Sequence, residues 1–130
     1  MSFSIVKSTI ESHIASNWTE TAVQYENVDL NTDSLNEYIS IHVLSGEGVQ
    51  ATLGDIGEYK VTGVLVVIIF TELGTGSKRA KELADTMSDL FRGAKINDIT
   101  FKVPSGTRVA FSGSYYQFNL SIPFYSFFNM

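Results

Sequence analysis

The sequence predicts an α+β fold in which a mostly antiparallel β-sheet carries two α-helices packed on one face. Two segments repeat apolar residues at helical spacing, and several others alternate apolar with polar residues. The strands are grouped and do not alternate regularly with the helices, which favours an antiparallel sheet. The 130 residues, 44% of them hydrophobic, suffice for one core, and no linker or internal repeat divides them. We therefore expect a single domain spanning residues 1–130.

Each predicted helix has one apolar stripe. In residues 4–18 the apolar positions recur every fourth residue, at Val6, Ile10, Ile14 and Trp18. The second helix has Ser77 as its candidate N-cap and ends near Gly93. Its stripe consists of Ala80, Leu83, Ala84, Met87, Leu90 and Phe91. Stripes of this width predict that each helix packs one side on the sheet.

Alternating patterns predict the strands. These patterns occupy residues 22–29, 38–44, 58–72, 99–103, 109–111 and 116–124. In residues 64–70 both alternating sets are apolar, which is typical of a strand covered on two faces, so we expect this strand at the centre of the sheet. Two helices can cover only one face. A second sheet or a neighbouring subunit must then cover the other.

Two further segments suggest assembly. Residues 45–58 form a glycine-rich acidic segment, for which we expect a hairpin loop or a short ribbon. Residues 124–128 form an apolar C-terminal segment in which the alternation stops. Loops and aromatic tails of these kinds are typical of subunits that become ordered on docking. A plain hairpin and a core-filling last strand explain them equally well.

Composition excludes several classes of function. A formal net charge of −5 argues against wrapping a phosphate backbone, because that binding depends on released counterions. There is no cysteine, so disulfides, thiolate metal sites and cysteine nucleophiles are excluded. The longest apolar run, residues 64–70, is too short to span a membrane. We expect no membrane association and no secretion signal.

The strongest candidate for a ligand site is Gly74-Thr75-Gly76-Ser77-Lys78, which joins a strand to a helix. It lacks the Gly-Lys-Ser/Thr order and the spacing of a phosphate-binding P-loop. A plain turn with a capping serine explains it better. A small anion-binding α+β domain remains the alternative from a different class of function.

Other chemical motifs are weaker still. Asp85 and Asp89 lie one turn apart on the predicted solvent face of the second helix, beside lysines. His13 and His42 are on different elements and lack metal-ligand spacing. Ser4 and Lys7 match Ser-x-x-Lys without its companion motifs. We expect no enzymatic activity, no cofactor and no metal.

The order of residues along the chain resembles the phage tail-terminator-like family over most of its length. The resemblance lies in Ile10 to Trp18, Tyr25-Glu26-Asn27-Val28, Tyr38-Ile39, Leu53-Gly54, the strand ending near Phe70, the helix with Ala80, Leu83, Ala84, Asp85, Leu90 and Phe91, Tyr115-Tyr116-Gln117 and Ile122-Pro123-Phe124.

The resemblance implies a structural virion protein. Its relatives form a ring of six subunits that seats on the head-proximal end of the tail tube, stops tube growth and offers a docking face to the neck. The implied partners are copies of the chain itself, the tail tube protein and the neck or head-completion connector, and genomic DNA passes through without specific binding. The expected location is the virion, after assembly in the host cytoplasm. A neck or head-completion adaptor, or a related tube component, is the alternative within this class.

Two groups of residues are candidates for these contacts. A loop facing the tube, the neck or the lumen would contain Glu47, Gly48, Asp55 and Glu58, whose acidic groups repel DNA phosphate. The subunit interface would contain Val64, Val66, Ile68, Phe124, Tyr125, Phe127 and Phe128.

Overall fold

The computed structural model describes residues 3–25, 37–50, 58–72, 78–96, 99–112 and 115–129. Side chains are described within residues 6–25, 37–44, 60–72, 78–96, 99–106 and 115–126. In chain order the elements are α1 (Phe3–Asn17), β1 (Ala22–Gln24), β2 (Tyr38–Gln50), β3 (Glu58–Glu72), α2 (Lys78–Phe91), β4 (Lys95–Ile96), β5 (Ile99–Phe101), β6 (Ser105–Ser112) and β7 (Tyr115–Asn129).

All seven described strands belong to one sheet with the order β1-β2-β3-β7-β5-β4, and β6 also pairs with β7. Only β1 and β2 run parallel; every other pair is antiparallel. The longest pair joins β3 to β7 without a register shift, from Glu58 opposite Asn129 to Glu72 opposite Tyr115. The strand predicted to be central therefore lies between β2 and β7, as expected.

Both helices pack on the same face of this sheet. Their buried side chains form one cluster with the alternate residues of the strands that point toward them. These residues are Val6, Ile10, Ile14 and Trp18 from α1 and the turn after it; Ala80, Leu83, Ala84, Met87 and Phe91 from α2; and Ile39, Ile41, Leu65, Val67, Ile69, Ile99, Phe101, Tyr116, Leu120, Ile122 and Phe124 from the strands. The predicted α+β class and the single helix-covered face are confirmed.

The helices contact each other near the C-terminal end of α2. The His13 imidazole lies 3.0 Å from the Leu90 carbonyl oxygen and packs edge-on against the Phe91 ring, with the ring centroids 5.0 Å apart. After α2 the chain turns at Gly93, whose φ of 65° lies in the left-handed region. This region favours glycine, so Gly93 ends the helix as the sequence predicts.

Two segments for which the sequence left alternatives open are strand. Strand β2 continues to Gln50 and pairs with β3 there, as expected for a short ribbon, with a register shift between Ser45 and Gly48. The aromatic residues at the end of β7 continue the last strand and pair with β3. Strand β4 was not predicted, because two residues are too few for an alternating pattern.

Within the described parts of the chain, no helix is both long and apolar enough to cross a membrane.

Candidate functional site

The candidate site is the sheet face that no described helix covers, which we call the outer face. Along β3, side chains alternate strictly: the odd-numbered residues 61–71 are buried under the helices, and the even-numbered residues 60–70 are partly or fully exposed. Successive residues of a strand point to opposite faces, so the even-numbered set lies on the outer face. It includes three aliphatic side chains at the centre of the sheet, those of Val64, Val66 and Ile68.

The strands on both sides of β3 extend the outer face. On β2, His42 lies opposite Val66 and Leu44 opposite Val64. The Leu44 side chain is 57% exposed, the second most exposed large hydrophobic residue among those described. On β7, Pro123 lies opposite Val64. The row through Leu44, Val64 and Pro123 is therefore apolar across three strands, whereas His42 and Ser121 lie beside Val66 on the same face.

Three aromatic rings close one end of this surface. The Tyr38 ring stacks on the Phe70 ring with centroids 4.6 Å apart, and the Tyr115 ring meets both rings edge-on. Burial raises the pKa of the Tyr38 hydroxyl, and the nearby Tyr115 hydroxyl adds to the rise. These packed rings form a border next to Glu72, the last residue of β3. We call this border the Glu72 end.

Two lysines lie at the opposite end of the outer face. The ammonium groups of Lys60 and Lys102 lie 4.8 Å and 5.5 Å from the centroid of the Tyr125 ring. Cations at this distance are attracted to the negative face of an aromatic ring. The contacts join β3, β7 and the segment after β5. We call this region the Lys60 end.

The predicted interface residues divide between the two faces. Val64, Val66, Ile68 and Tyr125 lie on the outer face. Phe124 does not, because its ring is 2% exposed and packs in the core against Phe101. Its side chain cannot contact a neighbouring subunit in this fold, so Phe124 is removed from the candidate interface. The backbones of Phe127 and Phe128 pair with Lys60 and Tyr59, and their side chains lie outside the described set.

The predicted acidic loop residues lie at the Lys60 end, as far as their backbones are described. Glu47 and Gly48 are part of β2, where Gly48 pairs with Val61. Glu58 begins β3 and pairs with Asn129. Asp55 lies outside the described residues. The backbone therefore brings Glu47, Gly48 and Glu58 to the same end of the sheet.

Among the residues that the structure describes, the weaker chemical motifs do not come together. The described residues contain no group of three His, Asp or Glu side chains that could hold a metal ion. Asp85 and Asp89 are exposed on α2. His13 contacts α2, whereas His42 lies on the outer face, where its ring is 2.9 Å from the Ser40 hydroxyl. In the strand-to-helix turn, residues 73–77 lie outside the described part, and Lys78 pairs with Glu82 at 3.8 Å.

One open groove is present on the other side of the molecule. It has a volume of about 430 Å³ and lies along α1, between that helix and Ile96. Its remaining lining is Ser8, Thr9, Ser12, His13, Ser16 and Asn17. Hydroxyl and amide groups dominate this lining, and none of the described residues that form it is a carboxylate, a lysine or an arginine. The arrangement offers hydrogen bonds without a nucleophile that is activated by a base.

Sequence reasoning missed Leu44, Lys60 and Lys102 as parts of the outer face. Alternation alone places Leu44 and Lys60 on it once the register of β2 and β3 is known. Lys102 lies after β5 and reaches Tyr125 only because β5 pairs with β7. No local pattern signals a contact of that kind.

Comparison with known proteins gives a family and a fold. The sequence model of the family described as "Phage tail terminator protein" matches residues 5–124. A search among curated protein sequences finds no match. One solved structure is similar with a TM-score of 0.71 at 16% sequence identity, and the match covers 97% of this chain and 96% of that chain. At that identity the likeness shows the fold alone.

Proposed function

Because this chain belongs to the phage tail terminator protein family and has a structural role in a phage tail, we propose that its copies form a closed ring on the head-proximal end of the tail tube. The ring ends tube polymerisation and provides the surface on which the head or neck docks. Its partners are other copies of the chain, the tube protein and the neck connector. The relatives implied by the sequence resemblance form rings of six, and we propose the same number here.

The observation that carries this proposal is the uncovered apolar centre of the outer face. A ring requires a heterologous interface, in which one patch of each subunit meets a different patch of the next. Val64, Val66, Ile68 and Leu44 form a contiguous apolar patch on a sheet whose other face is already packed. Contiguous exposed apolar surface of this kind marks protein contacts. We assign it, with Tyr125 at its edge, to the subunit interface.

The Lys60 end is the candidate for contact with the tube or the neck. There the long strands β2, β3 and β7 extend to Gln50, Glu58 and Asn129. The acidic residues Glu47 and Glu58 lie at this end, Asp55 lies between them in sequence, and Gly48 adds backbone freedom. Carboxylates that face the channel repel DNA phosphate, so DNA passes without sticking. Those that face the tube provide polar contacts at the rim of an interface.

Electron microscopy of particles assembled without this protein tests the proposal. We expect tails of variable, excessive length and heads that lack tails, because nothing stops the tube or presents a docking face. Supplying the protein in trans restores normal length and joining. Normal-length tails that fail to join heads would instead favour the neck-adaptor alternative. Normal tails on normal heads would overturn both functions.

A further inference from the structure

We draw no further inference here: the strongest candidate, the apolar row of Leu44, Val64 and Pro123 that crosses the outer face, belongs to the site already described, and nothing in the described part of the structure shows what covers it.

Discussion

Gly63 and Phe124 face each other across the β3–β7 pair, and the Phe124 ring fills the space where a side chain at position 63 would lie. A Cβ added to Gly63 would lie 2.6 Å from Cζ of Phe124 and 2.5 Å from the carbonyl oxygen of Leu44. Both distances are far below van der Waals contact. Glycine at this position therefore lets β3 lie close to β2 while a buried phenylalanine crosses over it.

Gly63→Ala should destabilise the protein by about 1–3 kcal/mol, the usual result of overpacking a well-filled core. The Phe124 ring can shift away from the added methyl group, but the Leu44 carbonyl oxygen cannot move without disturbing the β2–β3 ladder, so part of the strain remains. Urea denaturation followed by circular dichroism measures the change. Gly63→Ala should cost less in a Phe124→Leu background than in the wild type, because the smaller side chain relieves one of the two close contacts. A Gly63→Ala protein as stable as the wild type would contradict this packing.

Val66 and Val67 are neighbours in sequence that lie on opposite faces of the sheet. Val67→Asp should unfold the chain, because Val67 is 0% exposed and an unpaired carboxylate there costs several kcal/mol. Val66→Asp should change the stability of the monomer by less than about 1 kcal/mol, because its side chain is partly exposed.

The same pair of variants tests the function of the outer face. Val66→Asp should fail to complement particles that lack the protein, as judged by tail length in electron micrographs. Thr62→Asp, at an exposed position of the same row, serves as the edge control and should impair complementation less. A folded Val66→Asp protein that complements fully would exclude the outer face from the subunit interface.

His13 holds the two helices together where α2 ends. Its Nε2–H donates to the Leu90 carbonyl, one of the last carbonyls of α2, which lack partners within the helix. We assign this tautomer because the Asn17 amide lies 3.3 Å from Nδ1 and donates to it. His13→Ala should cost about 1–3 kcal/mol through loss of the hydrogen bond and the Phe91 contact.

Ser16→Ala is the matched control for His13, because Ser16 is exposed and on the same helix. Its effect on the free energy of unfolding should stay within about 0.5 kcal/mol. Equal losses in the two variants, measured by thermal or urea unfolding, would assign the effect to α1 helicity and not to the contact between helices.

Stability should fall in alkaline solution, partly through Tyr38. Tyrosine in the unfolded chain loses its proton near pH 10, whereas burial and the neighbouring Tyr115 raise the pKa of Tyr38 in the folded protein. Between these two pKa values the folded state binds more protons, so the free energy of unfolding decreases as pH rises. The contribution is fully present below about pH 10 and is lost above it.

Tyr38→Phe should therefore reduce the decrease in the free energy of unfolding above about pH 10, while the pH dependence below about pH 9 stays unchanged. Urea unfolding from about pH 8 to 11 measures both slopes. Burial and the Glu11 carboxylate raise the pKa of Tyr25 as well, so Tyr25→Phe should have an independent effect of the same sign. If the free energy of unfolding decreases equally at alkaline pH in the wild type and in all variants, the raised pKa values are contradicted.

The sequence was informative wherever a pattern was long. The four apolar residues from Val6 to Trp18 and the stripe of α2 specify which helical sides are buried, and all of them are in the core except Leu90, which is partly buried against it. Strand β3 was predicted with its observed bounds, because fifteen residues of strand propensity lie between glycine-rich segments. The family resemblance was confirmed over residues 5–124.

The candidate site was only partly predictable because it depends on pairing between distant strands. Val66 and Ile68 could be assigned to the face that the helices leave uncovered. Both alternating sets of residues in this strand are apolar, and such a strand is normally covered on both faces. In the sequence, Phe124 looked equivalent to Val66 and Ile68 as an interface residue. Its backbone pairs with Gly63, however, and its side chain points into the core. A run of aromatic residues does not reveal which of them point inward, because a shift of one residue in register reverses every side chain.

The pairing of β3 with β7 also bears on how the chain is made. During translation β3 emerges about 40 residues before its partner β7 begins, an interval of several seconds at ~5–20 residues per second. Throughout that interval one edge of an aliphatic strand has no partner from its own chain. Exposed strands of this composition are sites of aggregation. In a cell that makes many copies at once, the nascent protein therefore passes through a period in which this strand can be bound by a chaperone or can aggregate with another nascent chain.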